Sequence, residues 1–243
     1  SERQKDGRLH HREVWLMRDK FNEELDNLNS MLITMGDHCE EAISYAVKAL
    51  NENSDEMRTL TFETDKIIDD MEREIEGICY NLLLRQQPVA KDLRLVSAAL
   101  KMISDMERIG DQAYDIAEIT KTIKDGSRSI CSDIIDRMSA TSIDMVTKSV
   151  DSFVKKDTAI AEKVIGMDDI VDHLFIEVKD ALINAVAENK DQGEYFVDIL
   201  MIAKYLERIS DHAVNIAEWV IFSITGKHVS EPGAGSGDES ENV

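Results

Sequence analysis

Apolar positions recur at steps of three and four along the first third of the chain, which is the period of an amphipathic helix. They are Phe21, Leu25, Leu28, Leu32, Met35, Cys39, Ala42, Ile43, Ala46, Val47 and Leu50. This spacing predicts one long helix over about 14–51. Ser54 has the side chain of a helix N-cap and predicts the start of a second helix, which should stop before Gln86-Gln87-Pro88.

The same period predicts four more helices. Pro88 suits the first turn of the third, because its missing N–H would have no partner there and its fixed φ is already helical. That helix is predicted to run to about Lys124, where Asp125-Gly126 ends it. The remaining helices are predicted at 132–154, from the N-cap Asp157 to about Glu188, and at 193–225 with Gly226 after its end.

Two segments of the chain are duplicated. Glu107-Arg108-Ile109-Gly110-Asp111 returns 100 residues later as Glu207-Arg208-Ile209-Ser210-Asp211, and Asp65 and Asp69 return 103 residues later as Asp168 and Asp172. Two independent segments at nearly one offset indicate an internal repeat. The sequence therefore predicts an all-α fold of two tandem antiparallel three-helix bundles, related by a pseudo-twofold axis.

The predicted boundaries place the first repeat at 14–125 and the second at 126–228. Residues 1–13 and the acidic segment 229–243 are polar or charged and are predicted to be disordered. The chain has only 2 Pro and 11 Gly, which suits helices separated by few breaks.

Charge and cysteine content narrow the function classes. With 28 basic and 49 acidic residues the net charge is −21, which disfavours nucleic acid or an anionic membrane as a direct partner. The three cysteines lack a paired C-x-x-C spacing and are expected to be reduced thiols. No run approaches the roughly 20 apolar residues of a membrane span, so a soluble cytoplasmic protein without a transmembrane segment is predicted.

Acidic side chains form stripes on the predicted helices. Glu107, Asp111 and Asp115 are spaced four residues apart and so lie along one face, at the border of the apolar arc. One such stripe alone is more often a solvated flank. The stripes occur on two adjacent helices in each repeat, however, and this favours a metal-binding cluster, because helical bundles build such sites from oxygen ligands on facing helices.

Each repeat supplies one predicted ligand set. The candidate metal ligands are Asp65, Asp69, Glu107, Asp111 and Asp115 in the first repeat and Asp168, Asp172, Glu207, Asp211 and Asn215 in the second. Carboxylate ligation suits Mg²⁺, Ca²⁺, Mn²⁺ or ferric iron, and the lack of Cys or regular His disfavours a dedicated zinc site while leaving the metal unidentified. A ferritin-like oxidase would need Glu-x-x-His, but Gly110 and Ser210 stand at those positions.

His212 and His173, each next to a candidate ligand, are predicted to make surface or interhelical hydrogen bonds. Arg108 and Arg208 are predicted to pair with neighbouring acids. A metal-dependent phosphoester hydrolase remains the alternative to a binding protein, although no acid–base group outside the ligand set is evident.

The sequence resembles the PhoU family of phosphate-signalling regulators from about residue 17 to residue 222. The resemblance rests on Gln86-Gln87-Pro88-Val89-Ala90-Lys91-Asp92-Leu93-Arg94, on Glu107-Arg108-Ile109-Gly110-Asp111 with Ile116-Ala117-Glu118, and on Glu207-Arg208-Ile209-Ser210-Asp211 with Asn215-Ile216-Ala217-Glu218. It implies two three-helix repeats and multinuclear metal clusters on the second and third helix of each. Because Asn215 replaces the charge present at Asp115, the second cluster is expected to bind metal more weakly.

The resemblance also implies a function. Members of the family negatively regulate the phosphate-starvation response and phosphate uptake, and they link the ATPase of the Pst phosphate transporter to a phosphate-sensing histidine kinase. They are cytoplasmic adaptors, often homodimers, and not enzymes. These properties are expectations that follow from the resemblance.

Overall fold

The computed structural model describes residues 2–85, 89–123 and 130–229. Within these ranges every regular element is helical, which confirms the predicted all-α class. The elements are α1 (Glu2–Glu52), α2 (Asp55–Arg85), α3 (Ala90–Ile119), α4 (Ser132–Lys155), α5 (Thr158–Glu188), a 3-10 turn (Lys190–Gln192) and α6 (Gly193–Thr225).

Three predicted helix ends are confirmed. The Ser54 hydroxyl accepts a hydrogen bond from the N–H of Met57 at 3.3 Å, so it caps α2. The Asp157 carboxylate accepts from the second and third N–H groups of α5, at 2.9 and 3.4 Å. Gly226 follows α6 with φ +74° and donates its N–H to the Phe222 carbonyl, as expected of a left-handed C-terminal glycine.

The end of α3 differs from the prediction, because the helix stops at Ile119 and not near Lys124. The buried Arg58 of α2 donates its Nε–H to the Thr120 hydroxyl at 2.9 Å and also bonds the Thr120 carbonyl. Its Nη1 pairs with Asp55 at 2.6 Å. This cation therefore satisfies the negative end of α3 and stops the helix one turn early.

The start of α1 also differs. Its helical backbone begins at Glu2, whereas residues 1–13 were predicted to be disordered, and no proline interrupts the helix there. The predicted signals at Pro88 and at Asp125-Gly126, and the predicted acidic tail from residue 230 onward, lie outside the described residues.

The two repeats are bundles of α1–α3 and α4–α6, and they join where α3 packs on α6 and α1 on α4. The predicted pair of three-helix bundles is confirmed. Core details repeat between them: the Cys39 thiol donates to the Met106 carbonyl at 3.5 Å, and the Ser142 hydroxyl donates to the equivalent Leu206 carbonyl at 3.3 Å. None of the described helices is long and apolar enough to cross a membrane.

Candidate metal-binding carboxylate clusters

The first carboxylate cluster consists of Asp65 and Asp69 on α2 and of Glu107 and Asp111 on α3. Asp65 is its innermost member: its Oδ1 is buried and has no hydrogen-bond partner. Burial, and then the negative charges of the other three carboxylates, raise the pKa of Asp65 to about 6. The fold thus brings together the four carboxylates that the sequence predicted on facing helices, and it leaves one buried oxygen without a hydrogen-bond partner.

Gly110 provides space for the Asp65 carboxylate against α3. A Cβ atom at residue 110 would meet Asp65 Oδ1 at 2.9 Å, closer than such atoms approach. The buried carboxylate therefore occupies the space that a side chain would fill.

The second carboxylate cluster consists of Asp168 and Asp172 on α5 and of Glu207 and Asp211 on α6. Asp168 matches Asp65, since its Oδ1 is also buried without a partner and its pKa is raised to about 6 by burial and by the other three carboxylates. Partial burial and the charge of Glu207 raise the pKa of Asp211. Here Ser210 takes the place of Gly110, and its hydroxyl lies 3.0 Å from that of Ser142 on α4.

Asp115 and Asn215, the fifth candidate of each set, have partners at the contact between the repeats. Asp115 accepts a hydrogen bond from the Tyr205 hydroxyl of α6, although its charge still contributes to the raised pKa of Asp65. Asn215 Nδ2 donates to Asp105 Oδ1 at 3.2 Å, and His212 Nδ1 lies 2.9 Å from the same oxygen. The structure therefore directs these two side chains towards the opposite repeat.

Basic side chains hold the outer carboxylates. Arg108 pairs with Asp111 at 2.8 Å and with Glu107 at 3.4 Å, as predicted, and Lys204 pairs with Glu207. Over the part of the chain that the structure describes, no three His, Cys, Asp or Glu side chains converge closely enough to hold a metal ion as they stand. A cation would have to draw these carboxylates away from Arg108 and Lys204.

The donor chemistry of both clusters nevertheless fits a hard cation. Each cluster offers four carboxylates on two facing helices, and each has one buried oxygen that no protein donor satisfies. Such an oxygen is costly to leave unpaired, and a bound cation would satisfy it.

The two histidines that adjoin candidate ligands make the predicted hydrogen bonds. His212 bonds across the two repeats, and the Nδ1 of His173 lies 2.5 Å from the Asp169 carbonyl on its own helix. The predicted pairing of Arg208 with a neighbouring acid is not confirmed, because among the described residues it forms no ion pair and it lies over the Tyr205 ring at 5.9 Å. Burial raises the pKa of Asp115, and the charge of Arg208 opposes this rise.

Sequence reasoning missed Glu72, which extends the first cluster. Its charge contributes to the raised pKa of Glu107, behind burial and Asp111, and its Oε1 accepts a 3.4 Å hydrogen bond from Ser104. Its distance of seven residues from Asp65 on one helix face could have revealed it. The equivalent position in the second repeat is Phe175, which lies 5.5 Å from Lys204 Nζ.

The fold and the clusters define a class of protein: an all-α chain of two three-helix repeats, each with an acidic groove between its second and third helices. The sequence model of the PhoU domain matches residues 32–120 and 135–220. The chain therefore belongs to the PhoU family.

Two relatives of known description match this chain over most of their length. The phosphate-specific transport system accessory protein PhoU homolog of Clostridium acetobutylicum is 35% identical over 88% of this chain and 98% of its own. The homolog of the same description from Pseudomonas aeruginosa is 32% identical over 94% and 93%.

Solved structures agree as well. The crystal structure of PhoU from Pseudomonas aeruginosa matches with a TM-score of 0.78 and 31% identity, over 85% of this chain and all of that one. The phosphate transport system regulatory protein PhoU from Streptococcus pneumoniae matches with a TM-score of 0.79 and 27% identity, over 87% and 100%.

Proposed function

We propose that this chain is a cytoplasmic negative regulator of the phosphate-starvation response and of phosphate uptake. As a member of the PhoU family it is an accessory protein of phosphate-specific transport. In the proposed role it is a homodimeric, metal-binding adaptor between the ATPase of the phosphate transporter and a phosphate-sensing histidine kinase. The described relatives, named as accessory proteins of phosphate-specific transport, support this role.

The observation that carries the metal-binding part of the proposal is the unsatisfied buried oxygen in each cluster, on Asp65 and on Asp168. Asp65 and Asp168 would be the inner ligands, and the carboxylates of α3 and α6 the outer ones. When bound, a hard cation such as iron, Mg²⁺, Mn²⁺ or Ca²⁺ would neutralise the mutual repulsion of these carboxylates and cross-link the two helices of each groove.

A binding role fits the clusters better than catalysis does. A phosphoester hydrolase needs a proton-transferring group beside its metal ligands. In the described part of the two ligand sets, the carboxyl groups with a raised pKa are Asp65, Glu107, Asp115, Asp168 and Asp211, and all five are ligand candidates themselves. We therefore propose a regulator that is not an enzyme.

Partner capture tests the proposal. Glu107→Ala combined with Asp111→Ala removes the α3 half of the first cluster, and we expect it to abolish pull-down of the transporter ATPase and the sensor kinase. The matched control is Asp70→Ala with Glu74→Ala, two exposed carboxylates four residues apart on α2, which should leave capture intact. Retained capture by the cluster variant, at unchanged helical content, would separate the carboxylates from docking.

A further inference from the structure

The C-terminal end of α6 meets the first turns of α3 at Arg94. An ideal Cβ atom on Gly226 would lie 3.7 Å from both Cζ and Nε of Arg94, so the guanidinium group packs directly beside this turn. The Nε of Arg94 is buried and has no hydrogen-bond partner. A buried N–H that donates to nothing is costly, and an arginine N–H is a strong donor to oxyanions.

A second cation of α3 lies beside aromatic rings of α6 and of the turn that follows it. Lys101 lies two turns further along the same face of α3, about 10.5 Å away at 1.5 Å per residue, with its Nζ 5.9 Å from the Trp219 ring. His228, two residues beyond Gly226, stacks on Phe222 at 4.1 Å and meets the edge of Trp219 at 5.5 Å. We call the group of Arg94, Lys101, Trp219, Lys227 and His228 the basic end.

The cations of the basic end have no ion-pair partner in the part of the chain that the structure describes. Among the described residues no ion pair joins Arg94, Lys101 or Lys227 to a carboxylate, whereas other surface lysines such as Lys148 and Lys155 are paired. The donors come from two separate segments, α3 and the turn after α6. Arginine binds phosphate groups through its planar fork of donors, and lysine binds them as a point charge.

The pseudo-twofold axis provides an internal comparison. In the α3–α6 pair, Arg94 corresponds to Glu194 and Lys101 to Met201. The related end of the molecule holds a cavity of about 220 Å³ lined by Asp191, Glu194 and Asp198, where Asp198 accepts a hydrogen bond from Thr122 at 2.9 Å. At the described positions of α6 the related end thus carries acids, whereas α3 carries Arg94 and Lys101, so the helix pairing alone does not require cations at the basic end.

We propose that the basic end is an anion site that binds a phosphate group, with Arg94 as the anchoring donor and Lys101 and Lys227 as supporting charges. The site uses none of the carboxylates of the two clusters and requires no partner protein. It therefore goes beyond the proposed function, and either can fail without the other.

The test is calorimetric titration of the full chain, stripped of metal, with inorganic phosphate and with phosphoserine, each against sodium chloride of equal ionic strength. We expect saturable binding of phosphate that Arg94→Gln weakens at least tenfold. Arg94→Lys keeps the charge but loses the planar set of donors, so its affinity for phosphate should lie between those of the original chain and of Arg94→Gln. The matched control is Glu194→Gln at the pseudo-twofold position, which should leave binding unchanged.

A fluorescence titration locates the site. In a Trp15→Phe background Trp219 is the sole tryptophan, and phosphate should change its emission with the same midpoint as the heat. Lys101→Gln serves as a second variant should Arg94→Gln lose helical content, and we expect it to weaken binding several-fold.

The outcomes separate two sources of the phosphate group. Binding of inorganic phosphate alone assigns the site to the free ion, and binding of phosphoserine alone assigns it to a phosphorylated ligand. Absence of saturable binding for both probes would overturn the proposal. Equal affinities of the original chain and of both the Arg94 and Lys101 variants would also overturn it.

Discussion

The two carboxylate clusters share four acidic positions but differ in their surroundings. In the first repeat Gly110 leaves room for Asp65 against α3, and Glu72 extends the negative charge along the groove. In the second repeat Ser210 stands in place of Gly110, and its hydroxyl lies 3.0 Å from that of Ser142. Phe175 stands in place of Glu72 and lies 5.5 Å from Lys204 Nζ. The duplicated helices fix the positions of the four carboxylates, while the neighbouring residues decide how much negative charge each groove concentrates.

The repeats also differ in how their helices end. In the first, Arg58 of α2 binds the end of α3, and in the second the equivalent position is the buried Ala161. Since nothing equivalent to Arg58 stops α6, that helix continues to a glycine C-terminus at Gly226. The first repeat therefore depends on a buried cation where the second depends on local backbone geometry.

The largest expected effect is loss of metal from one repeat at a time. Asp65→Ala with Asp69→Ala should remove the metal of the first cluster, and Asp168→Ala with Asp172→Ala that of the second. We expect the first cluster to fill at lower free metal concentration, because it carries more negative charge. Elemental analysis across a series of iron and manganese concentrations measures this, and equal metal content in both double variants and the original chain would refute the ligand assignment.

Replacing Arg58 should have the next largest effect. Arg58→Ala removes charged hydrogen bonds to Thr120 and Asp55, and should lower the free energy of unfolding by about 2–3 kcal/mol. The helix itself accepts alanine, as Ala161 shows in the second repeat. Urea unfolding measures the change, and Lys155→Ala, which breaks an exposed ion pair with Asp151, should cost less than about 1 kcal/mol. Similar costs for both variants would contradict the capping role.

A reciprocal exchange tests the glycine. Gly110→Ser should displace Asp65 and weaken metal binding in the first repeat by about tenfold, the size of effect seen when the support of a ligand is changed. Ser210→Gly should strengthen metal binding in the second repeat, and so narrow the difference in metal affinity between the two clusters. Metal titration of each variant, with the other cluster removed by its double alanine substitution, measures the two affinities. Unchanged affinities would show that the space beside Asp65 has no bearing on metal binding.

The smallest expected effect is a pH dependence that the two repeats share. The pKa of Asp65 and of Asp168 is about 6 in the folded chain, against an ordinary value of 3.8. Between these values the folded chain holds more protons than the unfolded chain, so stability falls as the pH rises through the window. In metal-free protein, Asp65→Asn and Asp168→Asn should each reduce the loss of thermal stability between pH 5 and pH 7, by similar amounts. Thermal unfolding in the presence of a chelator measures the loss of stability between pH 5 and pH 7. An unchanged or steeper loss in either variant would contradict the raised pKa.

The sequence predicted those features that depend on local signals. The starts of α2 and α5 followed from Ser54 and Asp157, and the end of α6 from Gly226. The carboxylates of each cluster were identifiable because helical spacing and duplication both pointed to them.

Features that depend on distant residues could not be predicted in this way. The end of α3 is set by Arg58, 62 residues earlier in the chain, and the partner of Asn215 is Asp105, 110 residues earlier. No spacing rule relates such pairs. Glu72 is different, because it lies on the same helix face as Asp65, and helical spacing could have identified it from the sequence.

The contact between α3 and α6 has a consequence for how copies of the chain can assemble. Asp105 faces Asn215 and His212, and at the related position Tyr205 faces Asp115. If two first repeats from different chains paired in the same way, Asp105 would face Asp115, and two carboxylates would repel each other. The side chains at this contact therefore favour the pairing of a first repeat with a second and disfavour the pairing of two first repeats.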